Sequence, residues 1–598
     1  MKSAHSLLCL WFVLFLLTAC VASPASPPPE TSTIQPSPTE PPPRTQTPTL
    51  KPTDTPEPTP TTTPIPLSTV PVTPVQPVTG LPQGTDGYPW WNDTVFYEIF
   101  VRSFYDSDGD GIGDFNGIIA NLDYLNDGDP NTTTDLGVTG LWLMPIHPSP
   151  SYHGYDVTDY YDVNPQYGTM EDFRRLVDEA HLRGIRVTID WVLNHTSNQH
   201  PWFESAVSDT NSPYRDWYIW SDTHPGYLGP WNEAVWHYSA TGYYYGIFVP
   251  TMPDLNLNNP AVTQEAEKVA SFWLQEIGVD GFRLDAAKHL VEAGQQQENT
   301  PATHEWYKEF RPFYKTIKPQ AMMVGEVQGS SNTVSTYLTG NELDLAFNFE
   351  LAGNMLSSVQ AQSGEDFSDV LAQQTSMFQP GRFAVFLTNH DQNRVMSTLN
   401  NDVETAKNAA FLLLTSPGVP FLYYGEEIGM IGKKPDEDIR RPIQWSDDEN
   451  AGFTTGIPWR APASDFITKN IASQISDPGS LLSLYRALLH LRNNHAALRV
   501  GDFYELDSGH RAVFASLRVS REQTILILIN LSPEPVSDYA LRLEQGPLSG
   551  EYVPVPLLYN GEFTAPTITE KGGFENYQPL PEIPPYGRFI LQLQPKTN

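Results

Sequence analysis

Cysteine is nearly absent from this chain of 598 residues: Cys9 and Cys20 are the only two. Both lie within the first twenty residues. The rest of the sequence therefore has no thiol for a disulfide, for a cysteine-ligated zinc ion or for nucleophilic catalysis. Because hydrophobic residues make up 39% of the chain and aromatic residues 12%, we expect stability to come from large cores, helped by a bound metal ion. The length predicts two or three folded units.

Basic residues are also scarce: 35 lysines and arginines stand against 70 acidic residues, for a net charge of −35. Nucleic-acid binding depends on basic patches, so this balance argues against a nucleic-acid partner. It argues equally against a peripheral protein held on an anionic membrane by charge. Solubility outside the cell accounts for the acidic excess.

Long hydrophobic runs are missing except near the N-terminus, where Leu7 to Leu17 follow Lys2. This run is too short to cross a membrane comfortably and is typical of a signal peptide, which we place at residues 1–20. Leu17-Thr-Ala-Cys20 resembles a bacterial lipobox, which implies cleavage before Cys20 and lipid attachment to it. We expect an extracytoplasmic protein whose only membrane contact is this anchor. The alternative is ordinary secretion.

Residues 21–86 are rich in proline, threonine and serine and have almost no large apolar side chain in their first sixty positions. Such a segment cannot bury enough apolar surface to fold, so we predict a disordered linker that holds the folded part away from its anchor.

Strand-like runs alternate with amphipathic helical segments after the linker, a pattern that predicts an α/β protein with a (β/α)8 barrel at residues 87–499. One connection, about residues 196–255, is long and aromatic, and predicts a small domain inserted after the third strand. Residues 500–598 are expected to form an all-β sandwich. The predicted barrel strands are Val95–Phe104, Gly140–Pro145, Arg186–Val192, Val279–Leu284, Met322–Val327, Leu343–Phe349, Phe383–Leu387 and Val419–Tyr424.

Acidic residues stand at the ends of several of these strands. Arg283 and Asp285 are two residues apart and therefore point to one side of the fourth strand, where the guanidinium keeps the carboxylate ionised. Glu326 ends the fifth strand and Asp391 follows the seventh. Three carboxylates at one mouth of a barrel are what glycoside hydrolysis requires. An isolated Arg-x-Asp would more often be a structural ion pair.

The motifs at these strand ends resemble the α-amylase family of retaining glycoside hydrolases, family 13, from about residue 88 to the C-terminus. Each motif is weak alone, but their order and spacing together are specific. The motifs are Asp190…Asn194-His195, Gly281-Phe-Arg-Leu-Asp285, Gly325-Glu326 and Asn389-His-Asp391, with His153-Gly-Tyr-Asp156 and Met252-Pro-Asp-Leu-Asn256 in addition.

The resemblance implies that Asp285 is the nucleophile, Glu326 the general acid/base and Asp391 the residue that holds sugar hydroxyls. Nucleophile and acid would then lie about 5–5.5 Å apart. It further implies that Tyr155, His195, Arg283, Lys288, His289, His390 and Arg394 contact or position the substrate. The alternative is that the histidines and Tyr155 are ordinary core residues; Asp190 we assign mainly to structure.

Asp106-Ser-Asp-Gly-Asp-Gly-Ile-Gly-Asp114 has acidic residues at alternate positions, a pattern that a hard cation selects. The twelfth position is Gly117, where an EF-hand places glutamate. The loop instead resembles the structural calcium loop of oligo-1,6-glucosidase relatives, which implies the ligands Asp106, Asp108, Asp110, Asp114 and the Ile112 carbonyl. A solvated acidic turn is the alternative. Asn194 and the His289 carbonyl resemble ligands of a second calcium.

The resemblance implies a monomeric enzyme that acts on α-glucans, and we expect an α-amylase that cuts internal α-1,4 links. Met252-Pro-Asp-Leu-Asn256 lies between the forms of oligo-1,6-glucosidases and neopullulanases, so an exo-acting or transferring relative is the first alternative. Gln328 stands where the family often has an aromatic residue, which leaves the sugar platform there in question. A catalytically silent glucan-binding lipoprotein is the alternative from another class.

Overall fold

The computed structural model describes residues 80–378 and 381–596. The predicted signal peptide, Cys20 and nearly all of the predicted linker lie outside these residues, so lipidation and linker disorder stay predictions. Among the described residues, no helix is long and apolar enough to span a membrane.

Eight parallel strands close into a barrel, which confirms the predicted (β/α)8 fold. Each strand lies within a predicted run but is shorter, because pairing ends where the chain turns toward its helix. In order around the barrel the strands are Phe96–Ile99, Gly140–Leu143, Arg186–Trp191, Gly281–Leu284, Met322–Gly325, Leu345–Phe347, Phe383–Val385 and Val419–Tyr423.

Helices surround the barrel, and side chains cap many of their N-termini. Thr169 and Asp172 form a reciprocal capping box at one helix, and Thr300 caps another whose first residue is Pro301. The α-helices of the barrel region and the insert are Phe115–Ala120, Leu122–Leu125, Met170–Leu182, Pro201–Ser208, Pro260–Ser271, Pro301–Ile317, Ser331–Thr339, Phe349–Ala361, Glu365–Met377, Val395–Thr398, Val403–Thr415, Asp436–Ile439, Ile471–Gln474, Leu481–Asn494 and Ala496–Val500.

The barrel interior changes from apolar to charged toward the carboxyl ends of the strands. Phe96 stacks on Phe421 inside the barrel, with ring centroids 4.5 Å apart. Side chains alternate along a strand, so the inward position two residues beyond Phe96 is Glu98. Asp190 and Arg283 are register partners on the third and fourth strands. Apolar packing therefore supports a layer of buried charges directly beneath the mouth.

A separate three-stranded antiparallel sheet follows the third barrel strand, as the aromatic connection predicted. Its strands are Trp220–Ser221, Trp236–Ser239 and Gly242–Tyr245. An isolated bridge between His195 and Asp254 joins the two ends of the insert. The insert therefore begins and ends beside the mouth of the barrel.

The C-terminal region forms two antiparallel sheets with apolar residues between them. Alternate residues of its central strand face different cores: Ile527 packs with the barrel helices and Leu528 with the second sheet. The predicted all-β C-terminal domain is confirmed. The five-stranded sheet contains Asp502–Glu505, Val513–Val519, Thr524–Asn530, Tyr552–Leu558 and Arg588–Pro595, and the smaller sheet contains Leu541–Leu543 and Phe574–Tyr577.

Candidate active site

A cavity of about 410 Å³ lies at the carboxyl ends of the barrel strands. The three carboxylates predicted to be catalytic all reach it, from strands four, five and seven. The insert contributes an apolar part of the wall. The lining residues are His153, Tyr155, His195, Phe248, Val249, Met252, Asp285, Glu326, Gln328, Asp391, Asp436 and Arg440.

Arg283 joins the carboxylates beneath this cavity. Its Nη1 donates to Asp285 Oδ1 at 2.8 Å and to Asp190 Oδ1 at 2.9 Å, and its Nη2 donates to Glu326 Oε2 at 2.6 Å. The guanidinium is fully buried, so these charge-assisted bonds are little weakened by solvent. One arginine thus fixes the two side chains that the sequence nominates as nucleophile and acid/base.

Burial raises the pKa of both Asp285 and Glu326, while the charge of Arg283 opposes this rise. The neighbouring carboxylates add to the rise at each residue. Asp190 is buried completely, and desolvation raises its pKa to about 7 in spite of Arg283. In both Asp285 and Glu326, burial therefore favours the protonated form, while the charge of Arg283 favours the carboxylate.

Asp391 is held by two cations. His390 Nε2 lies 3.1 Å from Asp391 Oδ2, and Arg440 Nη2 donates to Asp391 Oδ1 at 2.8 Å. Burial alone would raise the pKa of Asp391, but these two charges hold it well below its usual range. Burial lowers the pKa of His390, yet Asp391 and Glu98 together raise it to about 10. Asp391 is therefore an anion throughout the neutral range.

Tyr155 and His195 form one wall of the cavity, where the resemblance placed them. The Tyr155 ring stacks beside His390 with centroids 5.5 Å apart, and its hydroxyl lies 2.7 Å from His390 Nε2. His195 Nε2 lies 3.1 Å from the Tyr155 carbonyl, and burial lowers the pKa of His195 to about 4. His195 is thus neutral at pH 7.

Lys288, His289 and Arg394 do not line the cavity, although we expected them to contact substrate. Lys288 pairs with Glu298 at 2.6 Å, and His289 Nδ1 lies 2.9 Å from the Gln297 carbonyl.

The expectation for Arg394 is corrected most clearly. Its guanidinium is buried and donates to the carbonyls of Tyr424 and Ile439 instead of lining the cavity.

Arg440 and Glu98 are the residues that sequence reasoning missed. Arg440 also donates to the His390 carbonyl at 2.9 Å, and it lines the cavity in which we expected Arg394. Glu98 accepts from His390 Nδ1 inside the barrel. A carboxylate in the otherwise apolar first strand was the one signal for Glu98. Arg440 follows a helix far along the chain from His390, and no local pattern marks it.

Three carboxylates of the loop at residues 106–114 come together: oxygens of Asp106, Asp108 and Asp114 all lie within 4.8 Å of one another. Asp110 is not part of this group. Asp106 accepts hydrogen bonds from the backbone of Asp108, Gly109 and Gly111, so the loop wraps around its side chain. The clustered oxygens fit a hard cation.

A second group of oxygens lies where the insert meets the barrel. Asn194 Oδ1, Asp254 Oδ2 and Glu292 Oε1 are buried and have no hydrogen-bond partner. Burial raises the pKa of Asp254 to about 7 and that of Glu292 well above its usual range. Buried polar atoms are rarely left unpaired, so these oxygens too fit an oxygen-seeking cation.

Comparisons with known proteins agree with this geometry. Residues 98–501 match the family model described as the α-amylase catalytic domain. The chain belongs to the α-amylase family. It is 43% identical to α-amylase 3 of Dictyoglomus thermophilum over 450 residues, which cover 74% of this chain and 86% of that protein.

Two further comparisons cover more of the chain. A crystal structure of an α-amylase from H. orenii is 41% identical, has a TM-score of 0.74, and covers 84% of this chain and 99% of its own. The trehalose synthase/amylase of Mycolicibacterium smegmatis is 35% identical over 552 residues, covering 81% of this chain and 90% of that protein. The chain is therefore a glycoside hydrolase of the α-amylase family.

Proposed function

We propose that this member of the α-amylase family cuts internal α-1,4-glucosidic bonds of starch or maltodextrins with retention of configuration. The observation that carries the proposal is the meeting of Asp285, Glu326 and Asp391 in one cavity, with Arg283 bonded to the first two. An acid, a nucleophile and a fixed anion in one cleft are the groups that double displacement needs.

In the first step a carboxylate oxygen of Asp285 attacks the anomeric carbon while the glycosidic C–O bond breaks. Glu326 donates its proton to the departing oxygen, and burial, which raises the pKa of Glu326, favours the protonated form that this step needs. The anion of Asp391 accepts hydrogen bonds from sugar hydroxyls and offsets the positive charge that develops on the ring. The products are a glycosyl ester of Asp285 and a shortened glucan.

In the second step the now ionised Glu326 takes a proton from water, and the resulting oxygen attacks the anomeric carbon. The ester bond to Asp285 breaks and restores its carboxylate, which Arg283 holds in place. Two inversions at one carbon give net retention. Tyr155 supports the sugar ring through its aromatic face.

Calcium is part of this proposal as a structural ion. Asp106, Asp108 and Asp114 would hold one ion, with the Ile112 carbonyl beside them, and Asn194, Asp254 and Glu292 would hold another. Neither group touches the reacting bond, so the ions would tie loops to the barrel. The second would fix the insert that forms part of the cavity wall.

The similarity to a trehalose synthase/amylase favours one alternative, an enzyme that transfers or releases single sugars. The test follows product sizes over time from amylose and a blocked maltoheptaoside, in calcium-containing buffer. We expect maltodextrins of intermediate length and α configuration long before glucose accumulates. Glucose or trehalose from the first minutes would establish the alternative instead.

Glu326→Gln provides the catalytic test within the same assay. Because it keeps the shape of the side chain but cannot donate the proton, we expect kcat on amylose to fall by about 10²–10⁴-fold. The matched control is Glu365→Gln, at an exposed position on a helix outside the cavity, which should leave kcat unchanged. Sugar binding without turnover by the unmutated chain would instead support a glucan-binding protein.

A further inference from the structure

Trp231 is a large aromatic side chain exposed at the edge of the insert, with 54% of its surface accessible. It lies in a turn that an antiparallel bridge between Leu228 and Ala234 closes. The Gly229 amide donates to the Glu233 carbonyl at 2.9 Å across the same turn. Exposed apolar surface that continues into a cleft is a surface on which a ligand can pack.

The exposed ring is continuous with the wall of the catalytic cavity. Trp231 stacks on Phe248, with ring centroids 5.8 Å apart and planes at 24°. Phe248 lines the cavity together with Glu326 and Gln328, and its ring lies 5.3 Å from that of His195. An aromatic surface thus runs from the carboxylates out to solvent.

The order of strands in the barrel places Trp231 on one flank of the site. Trp231 follows strand three, and its ring lies 5.4 Å from His289, in the turn after strand four. Glu326 directly follows strand five, the next strand around the barrel. Asp391 and Arg440 follow strands seven and eight, on the far side. The indole therefore lies on the same side of the cavity as Glu326. This is the side on which the leaving group receives its proton and departs.

Gln297 fixes this arrangement in advance. Its side chain donates to the Leu228 carbonyl at 2.9 Å and accepts from the Tyr245 hydroxyl at 2.8 Å. Its own carbonyl lies 2.9 Å from His289 Nδ1. The turn that carries Trp231 is therefore bonded both to the insert sheet and to the turn after the nucleophile. Because the turn is already ordered, sugar binding costs little conformational entropy there.

Gln328 lies beside Glu326 on this flank, where an aromatic side chain could have supported a sugar. It is exposed, and its amide donates to Glu326 Oε1 at 3.1 Å rather than presenting a flat face. We propose that the Trp231 indole, backed by Phe248, is the platform for the glucose unit on the leaving-group side of the bond. This inference rests on the proposed function and concerns the specificity of the same site.

The indole would stack on the apolar face of a pyranose ring, and contacts of this kind change affinity by a factor of about 3 to 10. The contact forms only when a sugar lies beyond the broken bond. A substrate whose leaving group is fluoride has no such sugar. Maltoheptaose and α-maltosyl fluoride therefore separate this contact from the chemistry of the carboxylates.

The experiment compares kcat/KM on these two substrates for the full chain and three variants. Trp231→Ala should lower kcat/KM on maltoheptaose about 3- to 10-fold and change that on α-maltosyl fluoride less than twofold. Trp231→Phe should restore most of the loss, because a flat ring remains. Tyr238→Ala, at an aromatic residue of the same insert that is 75% exposed, should match the unmutated chain on both substrates.

Three outcomes would overturn the inference. An equal loss on both substrates would show that Trp231 only stabilises the insert. No loss on either substrate, from an active enzyme, would remove Trp231 from the site while leaving the proposed function intact. An unmutated chain that turns over neither substrate would refute the proposed function and this inference with it.

Discussion

Arg283 determines the electrostatics of the cavity at the scale of single residues. A buried guanidinium needs hydrogen-bond acceptors, and here three of them are the carboxylates of Asp190, Asp285 and Glu326. Two of these partners are also the proposed catalytic groups, so charge balance and catalysis depend on one side chain. Breaking such a network by removing one member leaves an uncompensated buried charge.

The pH profile follows from the two raised pKa values. Activity requires protonated Glu326, so kcat/KM falls as pH rises through the Glu326 pKa, and burial moves that limb to higher pH. Activity also requires ionised Asp285, so kcat/KM falls as pH drops through the Asp285 pKa. Burial raises the pKa of Asp285 and so moves this limb to higher pH as well, whereas the charge of Arg283 opposes that shift.

Gln328→Leu tests this reasoning. The Gln328 amide donates to Glu326 Oε1, a bond that favours the ionised form of the acid. Its removal should shift the alkaline limb of kcat/KM on maltoheptaose to higher pH and leave the acid limb in place. An alkaline limb that stays fixed or moves down would contradict the assignment of that limb to Glu326.

At the scale of secondary-structure elements, short turns after the strands orient the functional groups. Ala286, directly after Asp285, has a positive φ of 49°, which turns the chain sharply out of the fourth strand. Such a conformation is rare for a residue with a side chain and is found where geometry is tightly constrained. The turn presents Asp285 at the mouth and carries the chain on to His289.

The loop at residues 106–114 offers a matched pair for testing its proposed ion. Asp108 and Asp110 each accept one backbone amide, from Asp110 and Ile112 respectively, but only Asp108 belongs to the clustered oxygens. We expect Asp108→Asn to lower the thermal midpoint in calcium more than Asp110→Asn does. A calcium ion that binds only the folded protein stabilises the folded state, and Asp108→Asn removes one of the carboxylates that would hold it.

The readout is the thermal midpoint of each variant with calcium and with a chelator. The difference between Asp108→Asn and the unmutated chain should shrink once calcium is removed. Equal midpoints for the two variants in calcium would contradict an ion held by the three clustered carboxylates.

At the scale of the whole molecule, the main feature is that the C-terminal sheet packs against the helices of the barrel. Ile525, Ile527 and Ile529 pack in the same core as the barrel helices, and Arg588 donates to Asn408 Oδ1 at 2.7 Å. The opposite face of the same strand packs against the smaller sheet through Leu526 and Leu528. We therefore expect the two regions to unfold together.

Ile527→Ala should cost about 2–5 kcal/mol of stability, as truncation of a buried aliphatic side chain does. Leu528→Ala is the matched control on the other face, with a similar cost. Because one strand carries both side chains and belongs to both cores, both variants should lower the midpoint of one transition followed by tryptophan fluorescence and by loss of activity. A separate early transition that spares activity would show independent domains.

The sequence by itself determined the barrel, because eight apolar runs alternating with amphipathic helices have few other ways to bury their surfaces. It likewise indicated that Asp285, Glu326 and Asp391 would meet, because the carboxyl ends of parallel strands lie at one edge. The aromatic composition of residues 196–255 was enough to predict an inserted domain. These inferences depend on local periodicity, which a sequence shows directly.

Only the tertiary structure decided which distant side chains complete the site. Arg440 pairs with Asp391, and the indole of Trp231 lies on the flank of Glu326; no local pattern in the sequence encodes either contact. Asp254 and Glu292 likewise come together near Asn194 only in the folded protein. Contacts between residues far apart in the chain arise from packing of the whole fold, and spacing along the sequence does not reveal them.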